Sequence, residues 1–416
     1  MVNGVSELKS SSTNGNANAT AAARQVSIRE HNLGLVLRTI LHAEEPMSRA
    51  QVAVQTGLTR ATVSMLVDQL LAARILRELE PVTGVKAGRP GTPLSPARST
   101  IIGLGLEINV DYIGVRALDL SGEVAAQSVK AIDVRRHSAK ETLAKLAEQV
   151  AQVRKKVRAT GGVIIGATLG LPGLVDSPRG PLRLAPNLDW HDVDAVQMLD
   201  AFPAFDGFTT QLANEANLAA VAEAAAREES NFIYVSGEIG IGGALVLDRE
   251  VFAGQHGWSS ELGHITVDPD GEICECGARG CLQRSVGQEE LLAAAGLEPT
   301  AGVAGLIAAL EAVQSPAERA IAIAGRAFGV ALSDVVNLFD VNNIIIGGFH
   351  APLLPWLQPH IEAQMAQRVL TAAWSKPKIL APKIKDGAAL AGAALTALRD
   401  VQEHPAAWLE TLTARP

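Results

Sequence analysis

An α/β chain of two unlike parts is predicted: a small N-terminal winged helix-turn-helix, then a large two-lobed α/β body. Three observations predict it. Residues 24–98 carry ten basic side chains (Arg24, Arg29, Arg38, Arg49, Arg60, Arg74, Arg77, Lys86, Arg89 and Arg98) against six acidic ones (Glu30, Glu44, Glu45, Asp68, Glu78 and Glu80), within a chain whose formal net charge is −8. In that same segment a capping signature, a glycine turn and an apolar stripe follow one another at helix-turn-helix spacing. Beyond residue 100 a β-β-β-α-β texture occurs twice, as two similar lobes with a cleft between them would require.

The totals set the bounds. At 416 residues the chain exceeds what one compact core usually holds. Hydrophobic residues make up 48% and aromatic ones 4%, an ordinary globular composition. No stretch reaches the roughly 18 uninterrupted apolar residues of a membrane helix, so no membrane partner is expected. Residues 1–23 are polar and lack the apolar core of a secretory signal, and they read as a disordered leader. Three cysteines cannot all pair, which points to a reducing, cytoplasmic setting. The acidic total argues against a chain that wraps nucleic acid along its whole length. The basic segment instead suggests a separate module with a polyanionic partner.

The first domain is placed at 24–95. Leu33, Val36, Leu37, Ile40 and Leu41 follow the spacing of an amphipathic helix. Ser48-Arg-Ala-Gln51 is a capping box that opens a second, short helix. Thr56-Gly57-Leu58 makes the turn. Thr59 caps a third helix, whose buried stripe is Val63, Leu66, Val67, Leu70 and Leu71. A helix so placed enters the major groove with its N-terminal end leading, which makes Arg60, Thr62, Ser64 and Met65 candidate DNA contacts. ILRELE (75–80) and TPL (92–94) read as paired strands. The Gly/Pro-rich tip between them holds out Lys86 and Arg89, suited to a narrow minor groove. The bland alternative is a three-helix interaction domain with a solvated loop. SPARST (95–100) reads as a linker.

The second domain is placed at 101–416. IIGLGLEI, DYIGVRALDL and EVAAQSVKAI are strand-like, with a hairpin signal at Ser121-Gly122. A helix over about 139–160 and a buried strand, VIIGATLG, follow. FIYVSGEI, IGGALVLD and REVF repeat the three-strand texture. All three cysteines fall within eight residues, at 274, 276 and 281, with His264 ten positions upstream. Four ligands of this kind suit a closed structural Zn2+ site. The Gly277-Ala-Arg-Gly280 turn lets the last thiolate fold back. Buried thiols and a redox switch are the alternatives.

GLPGLVD, LAPNLDW, NEANLAAVAE, IGIGGALVLDREVFAG, ELGHITV, CECGARGCLQ and NLFDVNNIIIGG, in that order, resemble the ROK family of sugar kinases and repressors. The resemblance runs from about residue 27 to 398. SRAQVAVQTGLTRATVSMLVDQLL with GRPG resembles its repressor branch, including xylose-responsive repressors. The resemblance implies an actin-like, sugar-kinase architecture for the large body. It also implies zinc at His264, Cys274, Cys276 and Cys281.

It further separates kinase from sensor. Family kinases wrap ATP phosphates with an Asp-x-Gly-Gly-Thr hairpin, and here that place reads Glu107-Ile-Asn-Val-Asp111. Asn109 and Val110 block close backbone approach, and Asp111 adds negative charge. The second phosphate loop, Gly-Thr-Gly-Ile-Gly in kinases, reads Glu238-Ile-Gly-Ile-Gly242, with another carboxylate. No enzyme activity is therefore expected; the alternative is an ATP-dependent ROK sugar kinase with a fused DNA-binding domain. The implied sugar site is Gly173, Asn187, Asn214, Glu215, Glu261 and His264, with Gln283 where the family usually has Glu. Glu215 stands where kinases carry the aspartate base, one methylene longer. The reading implied is a sugar-responsive repressor, a homodimer or homotetramer. A monosaccharide such as xylose, glucose or a related sugar would release it from operator DNA.

Overall fold

The structure is a computed structural model that describes residues 13–80, 91–237 and 240–413, with side chains from residue 27 onward. The chain divides into two compact units, residues 1–101 with 398–416, and residues 102–397.

The first unit opens with α1 (Thr13–Leu41). Residues 13–23, expected to belong to a disordered leader, are thus helical, in keeping with the alanine-rich run ANATAAA. Leu33, Val36, Leu37 and Ile40 are buried as the periodicity requires. A two-residue strand, β1 (Met47–Ser48), precedes α2 (Arg49–Thr56). Ser48 and Gln51 form the reciprocal capping box, and Gly57 closes α2 in the left-handed conformation at φ 71°. The Thr59 side chain accepts from the Thr62 N–H at the start of α3 (Arg60–Ala72), which buries Val63, Leu66, Val67 and Leu70. Strands β2 (Leu76–Glu78) and β3 (Pro93–Pro96) pair antiparallel, and β1 adds to the other edge of β3. β1 is a departure from the sequence reading, which placed only the start of a helix at Ser48; two residues are too few to show a period. The 95–100 stretch is no free linker either: Ala97 N–H donates to Ile75 O and Thr100 Oγ1 to Arg74 O.

The second unit carries two sheets of the same design. The first is β4 (Ile101–Ile108), β5 (Tyr112–Asp119), β6 (Val124–Ala131), then α4 (Ala139–Ala159), which leads to β7 (Val163–Leu171). A small antiparallel sheet of β8 (Leu174–Val175), β9 (Leu182–Ala185) and β10 (Trp190–Val193) follows, then α5 (Ala195–Asp200), β11 (Thr209–Asn214) and α6 (Glu215–Ala226). The strand order is β11-β7-β4-β5-β6. The second sheet uses β12 (Phe232–Gly237), β13 (Ile241–Leu247) and β14 (Glu250–Val251). After these come α7 (Gln283–Val286), α8 (Gln288–Ala294), α9 (Gly302–Glu311) and α10 (Ser315–Phe339). Then follow β15 (Asn343–Ile346), α11 (Leu354–Arg368), β16 (Lys378–Leu380) and α12 (Ala388–Glu403). Its order, β14-β13-β12-β15-β16, matches the first strand for strand. In both, an antiparallel three-strand meander is extended by parallel strands reached through helices, the repeated texture read in the sequence.

α10 is long and apolar enough to cross a membrane, but it buries residues from Ala317 to Val336 in the core of the second lobe. α6 and α12 cross in backbone contact: a Cβ on Gly392 would lie 1.7 Å from Leu218 O. The two units divide within α12, after Ala397. α13 (Pro405–Thr413) then packs on α1 and α3. The segment 398–416, expected to finish the large domain, therefore belongs to the N-terminal unit. A helix joins whichever apolar face covers it, and that is not written in local periodicity.

Candidate ligand pocket and metal centre

The pocket of the second unit is built from both lobes. The first supplies Pro172 and Gly173 after β7, Ala185, Pro186 and Asn187 at the end of β9, and Asn214 and Glu215 at the β11–α6 junction. The second supplies Gly240, Ile241, Gly242, Glu261, His264, Glu275 and Gln283. All seven residues expected at a sugar site thus line one pocket. Glu275, between two of the cysteines, is an addition that sequence reading missed; the signal available was its place inside the thiol cluster.

Local physics holds each side chain. Gly173 sits at φ 95°, and a Cβ there would lie 2.1 Å from Leu184 O, so only glycine fits. Its carbonyl accepts from Asn214 Nδ2 at 2.9 Å. Asn214 Oδ1 accepts from the N–H groups of Ala216 and Asn217, capping α6. Asn214 is therefore engaged as a cap and a loop brace. Glu215 follows at the first position of α6, where the helix N-terminus favours a carboxylate. Burial raises Glu261 to a pKa of about 6. A Cβ on Gly240 would meet Asn187 Nδ2 at 2.6 Å, so Asn187 reaches across from the first lobe to the second.

The hairpin between β4 and β5 offers no phosphate cradle. Glu107, Asn109 and Val110 are buried there. The backbone donors are already used: Asn109 N–H donates to Tyr112 O at 3.0 Å, and Val110 N–H to Asn109 Oδ1 at 2.6 Å. Glu238 of the second loop lies outside the described residues. Beside Gly237, His350 is fully buried, with Nε2 2.6 Å from Val286 O and its ring where a Gly237 side chain would stand. Burial lowers its pKa to about 4.

His264, Cys274, Cys276 and Cys281 bring their ligand atoms within 4.8 Å of one another. Cys276 and Cys281 sulfurs are 3.7 Å apart, and Cys274 Sγ is 3.8 Å from His264 Nδ1. Tetrahedral zinc with bonds of about 2.3 Å separates two sulfurs by about 3.8 Å, so the residues fit the metal. Gly280 is required for the fold-back, since a Cβ would lie 1.5 Å from Asp268 O. Burial lowers the His264 pKa, favouring the neutral ring a ligand needs. Burial and neighbouring thiols push Cys281 up to about 12, a crowding that a bound dication would relieve.

In the first unit, Arg60 and Met65 are exposed on α3, whereas Thr62 and Ser64 are half-buried. Thr62 Oγ1 lies 2.8 Å from Thr59 Oγ1 and so serves the cap. Arg49 is held by Asp68 and Glu78. Lys86 and Arg89 of the wing tip lie outside the described residues.

Residues 103–400 match the model of the ROK family. The chain is 27% identical over 396 residues to a putative xylose repressor of Caldicellulosiruptor sp. (strain Rt8B.4), covering 91% of this chain and 98% of that one. It is 25% identical over 364 residues to the DNA-binding transcriptional dual regulator NagC of Escherichia coli (strain K12), covering 83% and 87%. A solved ROK family transcriptional regulator, a homolog of the E. coli MLC protein, superposes with a TM-score of 0.75 at 24% identity, covering 93% and 99%. The match to the family model spans most of the chain, and the duplicated sheets carry the architecture expected of it: the chain belongs to the ROK family.

Proposed function

We propose that this chain is a sugar-responsive, DNA-binding transcriptional repressor of the cytoplasm. Its first unit presents α3 to the major groove of operator DNA through Arg60, Ser64 and Met65, with Thr62 stiffening the leading turn. Lys86 and Arg89 are the wing-tip contacts of the same reading. Two copies bind a palindromic site. A monosaccharide, xylose, glucose or a related sugar, enters the pocket, where Asn187, Glu215, Glu261, His264 and Gln283 meet its hydroxyls. Carboxylates and amides suit such a ligand, because each accepts or donates in a fixed direction. Asn214 and Gly173 shape the wall. Zinc held by His264 and the three cysteines is structural and fixes the segment between Glu261 and Gln283.

One observation carries the reading. Seven residues from five separate stretches of sequence converge on one pocket, in a chain whose other unit is a winged helix. The donors that a phosphate loop would need are consumed, which favours a sensor over a kinase.

The test is fluorescence anisotropy on promoter fragments from the source genome, with and without xylose, glucose or N-acetylglucosamine. Salt-dependent binding is expected, weakened about fivefold or more by one of the sugars. A DNA affinity that no sugar moves would overturn it.

A further inference from the structure

Asn109 stands at the end of the β4–β5 hairpin and is 4% exposed. It is not among the residues lining the pocket, and sterically it stands as an obstacle to phosphate. The structure gives it a partner. Its Oδ1 accepts from the Val110 N–H at 2.6 Å, which fixes which end of the amide faces which way. The NH2 group is thereby turned toward α6, where Nδ2 lies 3.5 Å from Glu215 Oε2. A buried amide with one end pinned by the backbone is a rigid donor, and its target is a pocket-lining carboxylate.

We infer that Asn109 is a positioning residue of the ligand site, holding the Glu215 carboxylate from behind so that it meets a ligand as an oriented acceptor. The inference rests on the reading of the pocket as a sugar site. It explains two features together. The residue that ends phosphate binding at the hairpin also supplies the brace, and the longer Glu215 gains a support at the far side of the pocket wall. A carboxylate held in this way spends less orientational freedom when hydroxyl groups arrive.

The experiment exchanges the two chemistries. Asn109→Asp sets two carboxylates against each other, Asn109→Ala removes the donor without adding charge, and Asn109→Asp with Glu215→Gln restores one amide and one carboxylate in reversed order. Each is melted without ligand and titrated calorimetrically with xylose, glucose and N-acetylglucosamine. Asn109→Asp is expected to weaken the sugar that wild type binds by about tenfold or more, and Asn109→Ala by less. The double variant should recover the melting temperature lost by Asn109→Asp, which a merely space-filling Asn109 would not produce. Wild type binding a sugar that Asn109→Asp and Asn109→Ala bind equally well would overturn the inference. Wild type binding none of them would instead remove the sugar reading on which it stands.

Discussion

Cys281 shows how a single side chain ties folding to a ligand site. Its sulfur is buried among the other thiols, on the segment that carries Gln283 into the pocket. Cys281→Ser is expected to drop zinc content, measured by elemental mass spectrometry, from about one per chain to well below it. Metal binding is folding energy at such sites, so the melting temperature should fall by about 10 °C or more. His350 makes a second prediction. Above pH 6.5 its ring is neutral whether the chain is folded or not. Between 6.5 and about 4 only the unfolded chain takes up the proton, because Nδ1 has no acceptor among the described residues. Stability therefore falls as pH falls through that window, by roughly 3 kcal/mol at its lower end. Denaturant unfolding of His350→Gln should show a shallower loss between pH 6.5 and 4. The cluster of His264, Cys274, Cys276 and Cys281 was legible because metal coordination imposes spacing on sequence. His350 was not, because its burial comes from Phe328, Phe349 and Gly237, which are distant or unremarkable in the chain.

At the scale of elements, α6 connects the pocket to the chain's C-terminal helices. It begins at the Asn214 cap and ends in a buried pair, with Arg227 Nε donating to Glu223 Oε2. Glu223 also accepts from the N–H groups of Lys383 and Ile384, and Arg227 donates to Ala381 O. The pair thus grips the segment leading into α12. Glu223→Ala leaves a buried guanidinium with only the half-buried Glu229 carboxylate, 4.0 Å away, and two N–H groups without their acceptor. The expected cost is about 3–5 kcal/mol, read as a lowered denaturation midpoint. In the sequence this stretch, NEANLAAVAE, stood out only as part of the family resemblance. It gave no sign of the clamp, since an (i, i+4) Glu–Arg pair is commonplace on solvated helix faces. Caps, turns and amphipathic stripes are local, and those of α2 and α3 were readable as such. The strand β1 was not, because edge pairing to β3 decides it and no local pattern does.

The whole molecule joins a winged helix to a duplicated ligand fold. Under the proposed function, Glu215→Ala should leave DNA affinity without sugar unchanged within about twofold and abolish its response to sugar. Arg60→Ala should do the reverse, weakening DNA binding about tenfold while calorimetric sugar binding stays intact. Anisotropy and calorimetry on the two variants separate the functions. A ligand shifts the DNA-binding state by no more than its differential affinity for the two conformations, so a Glu215→Ala protein still released by sugar would contradict the scheme.

The sequence by itself determined the helix-turn-helix, the repeated three-strand texture of the two lobes and the cluster of one histidine and three cysteines, while seven of the pocket residues were implied by the family resemblance. The first three depend on backbone conformation, side-chain period and ligand spacing, all of which are written within short stretches. Only the tertiary structure decided that α13 closes the N-terminal unit, that Glu275 enters the pocket, that Asn109 meets Glu215 and that Glu223 clamps the approach to α12. Each of these pairs groups far apart in the chain, some by more than a hundred residues. Such contacts arise from burial, which selects partners by shape and charge in space and leaves no period along the chain.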